Sequence, residues 1–356
     1  MRTLVIAGCG HWGRNYIRIF SGLVGADAIV AVDSNAAALD AIRRQHRGIE
    51  TAPTLRDALE RATPRMAVVA TPAATHFELV KECLKRGMDV LAEKPLTLNA
   101  AQAAKLASLS ARGRRVLMVG HTFLYNPAVR KVQALVKAGA CGELYYMKAT
   151  RTHLGLIRPD VNAVWDLAPH DVAIFNYLTD SMPTAVSAAG GCFLKKGKED
   201  VAFINLFYPR NVLANIHVSW ADSNKERTVE VVGSKARIVF DDLNTLERVK
   251  IFEKGISLNV SGGENFGEFL FALRDGDIIS PKVETAEPLS EVCREFLHCV
   301  ESRGQPLAGA QNGVDVVEVM CAVERSLKQG GRRVPVARQA RGGKGAPGKS
   351  GPSASE

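Results

Sequence analysis

The first thirty-three residues constrain the fold more than any other stretch of this 356-residue chain. Thr3–Ala7 is a short apolar run of branched side chains, the pattern of a strand buried on both faces. It runs directly into Gly8-Cys9-Gly10-His11-Trp12-Gly13, a G-x-G-x-x-G, and Arg14–Phe20 follows with helical spacing. A second apolar run, Ala28–Val32, ends in Asp33, twenty residues after Gly13. Each part has a physical task. Gly8 permits the tight turn, Gly10 lets backbone approach a pyrophosphate, and Gly13 lets the helix sit close to the strand. The helix N-terminus offers unpaired N–H groups and partial positive charge to phosphates. Asp33 can accept both ribose hydroxyls of an adenosine. Its charge repels a 2′-phosphate, and Ser34 and Asn35 bring no cation to offset that. The stretch predicts dinucleotide binding, with NAD(H) favoured over NADP(H).

Strand and helix signals then alternate. Helix is expected over Ala36–His46, Thr54–Arg61 (capped by Thr54), from Thr75 to Gly87, and from the Asn99 cap through Arg112. Strands are expected at 49–51, Met66–Ala70, Asp89–Ala92 and Val116–Val119. This rhythm predicts an α/β unit, a doubly wound parallel (Rossmann) sheet, over residues 1–122. After it, Asn126-Pro127 opens a helix ending at Gly139, Glu143–His153 alternates as a strand, and Trp165–Leu178 reads as helix. Strand-like runs follow at Thr184–Phe193, Val201–Tyr208, Val212–Trp220, Arg227–Val232, Ala236–Phe240 and Leu246–Phe252. Short turns between them predict an antiparallel meander. Helices at Leu289–Ser302 and Gln311–Gln329 close an α+β, mostly antiparallel open-sheet unit expected over 123–336 for substrate binding and oligomerisation.

Composition narrows the class. Apolar content of 46% and charged content of 23% suit a globular chain, and no run reaches the roughly 18 apolar residues of a membrane span. The chain enters its first strand without a leader-like segment, so a cytoplasmic protein without membrane partners is expected. Seven scattered cysteines, without a C-x-x-C, read as reduced thiols and offer no metal site. The net charge of +9 is partly a tail effect: the last twenty residues hold four cations and one anion, leaving +6 for the body. That stretch, 337–356, is basic and nearly free of apolar side chains, so disorder is expected. It has no aromatics on which bases would stack, which argues against nucleic acid.

Several residues can carry chemistry. Thr71-Pro72 and Glu93-Lys94-Pro95 each follow a strand at the sheet's carboxyl edge, where ligands bind in open α/β sheets. Partial burial and a cofactor's positive ring both favour loss of the Lys94 proton. A cis Lys94–Pro95 peptide is expected, since a tight turn must aim the amine into the cleft. Asp166 and His170 lie one helical turn apart, and Pro169 between them places the pair at a helix N-terminus. By spacing alone, a core histidine bonded to a carboxylate fits this pair as well. His121 ends a strand after Gly120 and can line the nicotinamide end or pack in the core. His11 in the glycine turn reads as structural or exposed.

Taken together, Gly8–Gly13, Thr71-Pro72, Glu93-Lys94-Pro95, Gly120-His121 with Asn126-Pro127, Asp166-x-x-x-His170 and the closing run from Asn312-Gly313 to Ser326-Leu327 resemble the glucose-fructose oxidoreductase / inositol dehydrogenase / MocA-type (Gfo/Idh/MocA) family. The resemblance spans residues 1 to about 336. It implies an N-terminal Rossmann unit that binds NAD(P) and an open sheet that carries a sugar. It also implies Lys94 and His170 as acid/base groups with Asp166 beside them. The cofactor set implied is Gly8, Gly10, His11, Trp12, Gly13, Asp33, Thr71, Pro72, Glu93, Lys94 and His121. One departure stands out: many relatives carry glycines ahead of the aspartate, where this chain has Val161–Trp165. Trp165 can reshape the sugar pocket. Its run Trp165–Asp171 resembles a branch tied to surface-polysaccharide and nucleotide-sugar chemistry, and Arg151, His153 and Arg158 just upstream can meet an anionic group such as a diphosphate or be held in salt bridges.

The expectation is an NAD(H)-dependent dehydrogenase acting on a secondary alcohol of a sugar, with a nucleotide sugar as one candidate. A non-catalytic NAD(H)-sensing protein and a reductase of non-sugar carbonyl or imine compounds are the alternatives. A broad sheet with one apolar face seldom stays bare, so a homodimer or homotetramer through residues 184–252 is also expected.

Overall fold

The computed structural model describes residues 3–155, 157–158, 160–258 and 271–337. The basic stretch from Arg338 onward lies outside them. The first half contains β1 (Leu4–Ala7), α1 (His11–Val24), β2 (Ile29–Val32), α2 (Ala36–Gln45), β3 (Glu50–Ala52) and α3 (Leu55–Arg61). It continues with β4 (Met66–Val69), α4 (Ala73–Lys85), β5 (Asp89–Ala92), α5 (Ala100–Gly113) and β6 (Leu117–Val119). The sheet order is β3-β2-β1-β4-β5-β6, with every pairing parallel. Every residue of β1, β2 and β5 is buried, which is why these strands read as unbroken apolar runs rather than alternations. Strand order reverses between β1 and β4, opening a crevice at their carboxyl ends. The glycine turn and Thr71-Pro72 flank that crevice. α1 extends beyond the expected Arg14–Phe20 at both ends, because the glycine turn itself supplies its first residues.

The second half contains α6 (Pro127–Lys137), β7 (Leu144–Leu154), α7 (Ala163–Thr179), β8 (Ala185–Gly191), β9 (Val201–Phe207), β10 (Leu213–Ser219), β11 (Ala221–Gly233), β12 (Arg237–Asp241) and β13 (Val249–Phe252). A small hairpin, β14 (Gly255–Leu258) with β15 (Phe271–Arg274), and β16 (Ile278–Ile279) come next. The described chain closes with α8 (Pro288–Ser302), α9 (Ala310–Lys328) and β17 (Val334–Pro335). Its sheet runs β16-β13-β12-β11-β7-β10-β9-β8-β17.

This corrects the expected meander. β7 lies between β10 and β11 and pairs parallel with β10, so two consecutive strands are not neighbours. The reason is α7. It leaves β7, crosses the sheet face and delivers the chain to β8, leaving a slot beside β7 that β10 fills on the way back. Alternation within strands does hold. Ala202, Ile204 and Leu206 of β9 point inward, while Phe203 and Asn205 point out. Thirteen of the seventeen α7 residues are buried, so it is the central helix of this half. The last two helices return to the first half. Gly313 of α9 lies so close to it that a Cβ would sit 2.7 Å from Val119 and 3.0 Å from Leu96. Val119 N donates to Ala308 O at 2.8 Å, and Arg303 reaches both oxygens of buried Asp89 at 2.8 and 2.9 Å.

Candidate active site

The cradle begins where β1 ends. Gly8 has φ +93°, and a Cβ there would stand 2.5 Å from Ala70 O. A Cβ on Gly13 would stand 1.7 Å from Gly8 O, so the helix rests directly on the turn. Gly10 is different: nothing lies within 4 Å of the Cβ it lacks. Its free side faces open space beside the first turn of α1, whose N–H groups have no partner within the helix. At the end of β2 both Asp33 oxygens are held by backbone, Oδ2 accepting Cys9 N–H at 2.7 Å and Oδ1 accepting Asn35 N–H at 2.8 Å. Each oxygen keeps a lone pair for a further donor. His11 and Trp12 are exposed and meet edge to face. These residues fit a dinucleotide. Cys9 takes no reactive part: burial pushes its thiol up to about 12.

β5 delivers Glu93 and Lys94, and the Lys94–Pro95 peptide is cis. Both residues are buried. Glu93 Oε1 accepts the Tyr16 hydroxyl at 2.8 Å, and Oε2 accepts the Lys94 backbone N–H at 3.1 Å. His76 of α4, almost fully buried, sits between two turns. Its Nδ1 is 2.8 Å from Pro95 O and its Nε2 2.8 Å from Thr71 O. Burial holds its pKa below the usual value, against the pull of those two carbonyls. Sequence patterning passed over both His76 and Tyr16 as helix-face residues.

Asp166 and His170 come from α7. Asn162 caps that helix by accepting from Trp165 N at 2.9 Å. The expected position of the pair therefore needs correction. Asp166 is in the first turn, but Pro169 lies inside the helix and His170 follows it. A proline there has no N–H for the carbonyl of Trp165. Lys94 takes advantage of the neighbouring carbonyl. Its Nζ donates to Asp166 O at 2.7 Å and stands 3.4 Å from Asp166 Oδ1. Thus a side chain of the first sheet and a helix of the second half meet at one point.

Of the two readings open to the surrounding arginines, anion binding or ion pairing within the chain, the structure shows ion pairs. Arg151 forms a buried two-pronged pair with Asp171, at 2.7 and 3.0 Å, and lies over the Phe123 ring at 4.3 Å. That pair engages Nε and Nη2 of the guanidinium. Arg158 is similarly engaged, twice with Asp160 and at 3.2 Å with Asp166 Oδ1. His153 is partly buried at the end of β7, and Trp165 is buried. Phe123, which sequence reasoning missed, also packs edge to face on His170 with ring centres 5.1 Å apart.

Electrostatics keep the imidazoles neutral. His170 is pushed well below its ordinary value by burial, then by the Lys94 and Arg151 cations. His121, fully buried, falls to about 3, again by burial first and Lys94 second. Neither His121 ring nitrogen nor His170 Nδ1 has a hydrogen-bond partner, although all three are buried. Buried polar atoms ordinarily find partners, so these orphans mark where a ligand or water completes the site. Among the described residues, no group of three or more His, Cys, Asp or Glu side chains is placed to hold a metal, and no helix is long and apolar enough to cross a membrane.

Comparison with known proteins places the chain in a family. The family described as "Oxidoreductase family, NAD-binding Rossmann fold" matches residues 2–121, and the "GFO/IDH/MocA C-terminal domain" matches residues 129–239. The chain is 29% identical over 245 residues to a UDP-N-acetylglucosamine 3-dehydrogenase of Acidithiobacillus ferrooxidans, covering 68% of this chain and 72% of that one. It is 26% identical to a D-apiose dehydrogenase of Paraburkholderia graminis, covering 91% and 87%. A solved structure described as an oxidoreductase from Magnetospirillum magnetotacticum MS-1 superposes with a TM-score of 0.75 at 27% identity, covering 90% of this chain and 99% of that one.

Proposed function

Since this chain belongs to the Gfo/Idh/MocA oxidoreductase family, we propose that it transfers a hydride between NAD(H) and a secondary alcohol carbon of a sugar, with a nucleotide sugar as the substrate class. The observation that carries this reading is the meeting of Lys94 with Asp166, one turn from a neutral His170, at the carboxyl edge of the Rossmann sheet. The resemblance to the UDP-N-acetylglucosamine and D-apiose dehydrogenases supports a sugar.

A bound nicotinamide supplies the hydride acceptor or donor. The chain's own groups do the rest. Gly8, Gly10 and the first turn of α1 hold a pyrophosphate, and Asp33 takes the ribose hydroxyls. Asp33 also favours NAD(H) over NADP(H), because its carboxylate repels a second phosphate and Ser34 and Asn35 bring no cation. His170 takes the hydroxyl proton in the oxidative direction and returns it in the reductive one. Lys94 donates to the substrate oxygen, and Asp166 holds the amine through its carbonyl and carboxylate. His121 completes the cleft floor with an uncharged ring.

The test is a spectrophotometric panel. The enzyme is mixed with NAD or NADP and with nucleotide sugars, free sugars and polyols, and the absorbance of reduced nicotinamide is followed. NAD reduction with a nucleotide sugar, faster than with its free sugar, is expected. Tight NAD(H) binding with no redox change across the panel would contradict the assignment and favour a cofactor sensor.

A further inference from the structure

We infer that Tyr16 is a positioning residue for Lys94, acting through the buried carboxylate of Glu93. The inference rests on the reading of Lys94 as a group that touches the substrate. Tyr16 lies on α1, one turn beyond Gly13, and is fully buried. Its hydroxyl donates to Glu93 Oε1 at 2.8 Å, while Glu93 Oε2 accepts the backbone N–H of Lys94 at 3.1 Å. One carboxylate thus ties the helix of the phosphate cradle to the backbone of the lysine. Both of its oxygens are committed.

The neighbouring strand leaves room for this pair. Gly120, just past β6, donates its N–H to Ala92 O at 2.8 Å, which fixes it beside the end of β5. A Cβ on Gly120 would stand 2.9 Å from the Tyr16 hydroxyl and 3.1 Å from Glu93 Oε1. The space that the hydroxyl and the carboxylate share is therefore the space a side chain at 120 would fill. A buried carboxylate deprived of its donor takes up a proton more readily: burial already raises the Glu93 pKa, and the Tyr16 hydrogen bond counters that rise. Without the hydroxyl, Glu93 loses the partner that orients it, and the Lys94 N–H loses a fixed acceptor. The amine at the far end of that residue then samples more positions.

A double-mutant cycle on the full-length enzyme tests this, using NAD and a sugar substrate turned over by the wild type. The four proteins are the wild type, Tyr16→Phe, Glu93→Gln and the double variant, with Lys94→Ala as the control for the underlying reading. Tyr16→Phe is expected to lower kcat roughly tenfold or more, since small displacements of a catalytic group cost that much. NADH affinity, read by fluorescence, should stay within about twofold, and the same change in the Glu93→Gln background, where one carboxylate oxygen and the charge are gone, should cost less kcat than in the wild type. Equal losses in both backgrounds, or an unchanged kcat in Tyr16→Phe while Lys94→Ala is inactive, would overturn the inference. Full turnover in Lys94→Ala would instead sink the reading beneath it. Should Glu93→Gln fail to fold, Gly120→Ala probes the same contact. Its methyl crowds the hydroxyl, so adding Tyr16→Phe should restore part of the kcat lost in Gly120→Ala, and the absence of any restoration would overturn the inference.

Discussion

At the residue scale, the site is defined by imidazoles kept neutral in a cleft with cations around it. His170 keeps its pKa well below the usual 6.5, so it remains an available base on the acid side of that value. The kcat/KM of alcohol oxidation is therefore expected to show no fall with a midpoint near pH 6.5; a fall centred there would mean an unperturbed base. His121 makes a stability prediction. Its folded pKa of about 3 lies below the 6.5 of an unfolded chain. Between those values the unfolded state binds the extra proton, so the contribution is whole above pH 6.5 and drains away as pH falls toward 3. His121→Phe should flatten the decline in melting temperature over pH 6.5 to 4, and an unchanged slope would refute the assignment. Lys94, Asp166 and His170 could be nominated from the sequence because each stands in a short pattern at the end of a strand or on one helix face, and the structure brings Lys94 against Asp166. Tyr16 and His76 could not, because their importance comes from partners 77 and 19 residues away that no local spacing reveals. Which of its two readings Arg151 takes was not legible locally either, because its partner, Asp171, lies on α7, 20 residues further along the chain.

At the element scale, the glycine turn and α1 form one rigid unit. A methyl at position 13 would overlap the carbonyl of Gly8 at 1.7 Å, and backbone on both sides leaves no flexible atom to give way. Gly13→Ala should lose at least the roughly 1–3 kcal/mol of an overpacked site, with NADH affinity reduced in the protein that still folds. A variant with wild-type melting temperature and affinity would show that the helix does not rest on the turn. The strands of the first sheet were legible because burial on both faces writes continuous apolar runs. The second sheet was legible strand by strand but not in its order. Alternation records which face a residue takes, not which strand lies beside it, so the insertion of β7 next to β10 left no mark. Pro169 misled in a similar way. Proline disfavours a helix interior, yet the packing of α7 outweighs that local preference, and the helix runs unbroken through Pro169.

At the scale of the whole molecule, the outer face of the second sheet leaves Tyr146, Phe203 and Leu213 about half exposed, beside Lys148 and Arg237 with their partner Glu230. A second copy of this chain against that face remains our proposal. Sedimentation should give a dimer or tetramer that Phe203→Glu with Tyr146→Glu converts to monomers, and a wild type that sediments as a monomer at micromolar concentration would contradict it. The central claim concerns the junction of the two halves, where an amine from the sheet and an imidazole from the helix act on one carbon. The most direct measurement is the rate of deuteride transfer from a substrate labelled at that carbon to NAD, in the wild type, Lys94→Ala, His170→Ala and the double variant. The account predicts a loss of about two to four orders of magnitude in each single variant and little further loss in the double, as for groups that work as a unit. Near-normal transfer in both single variants would contradict it.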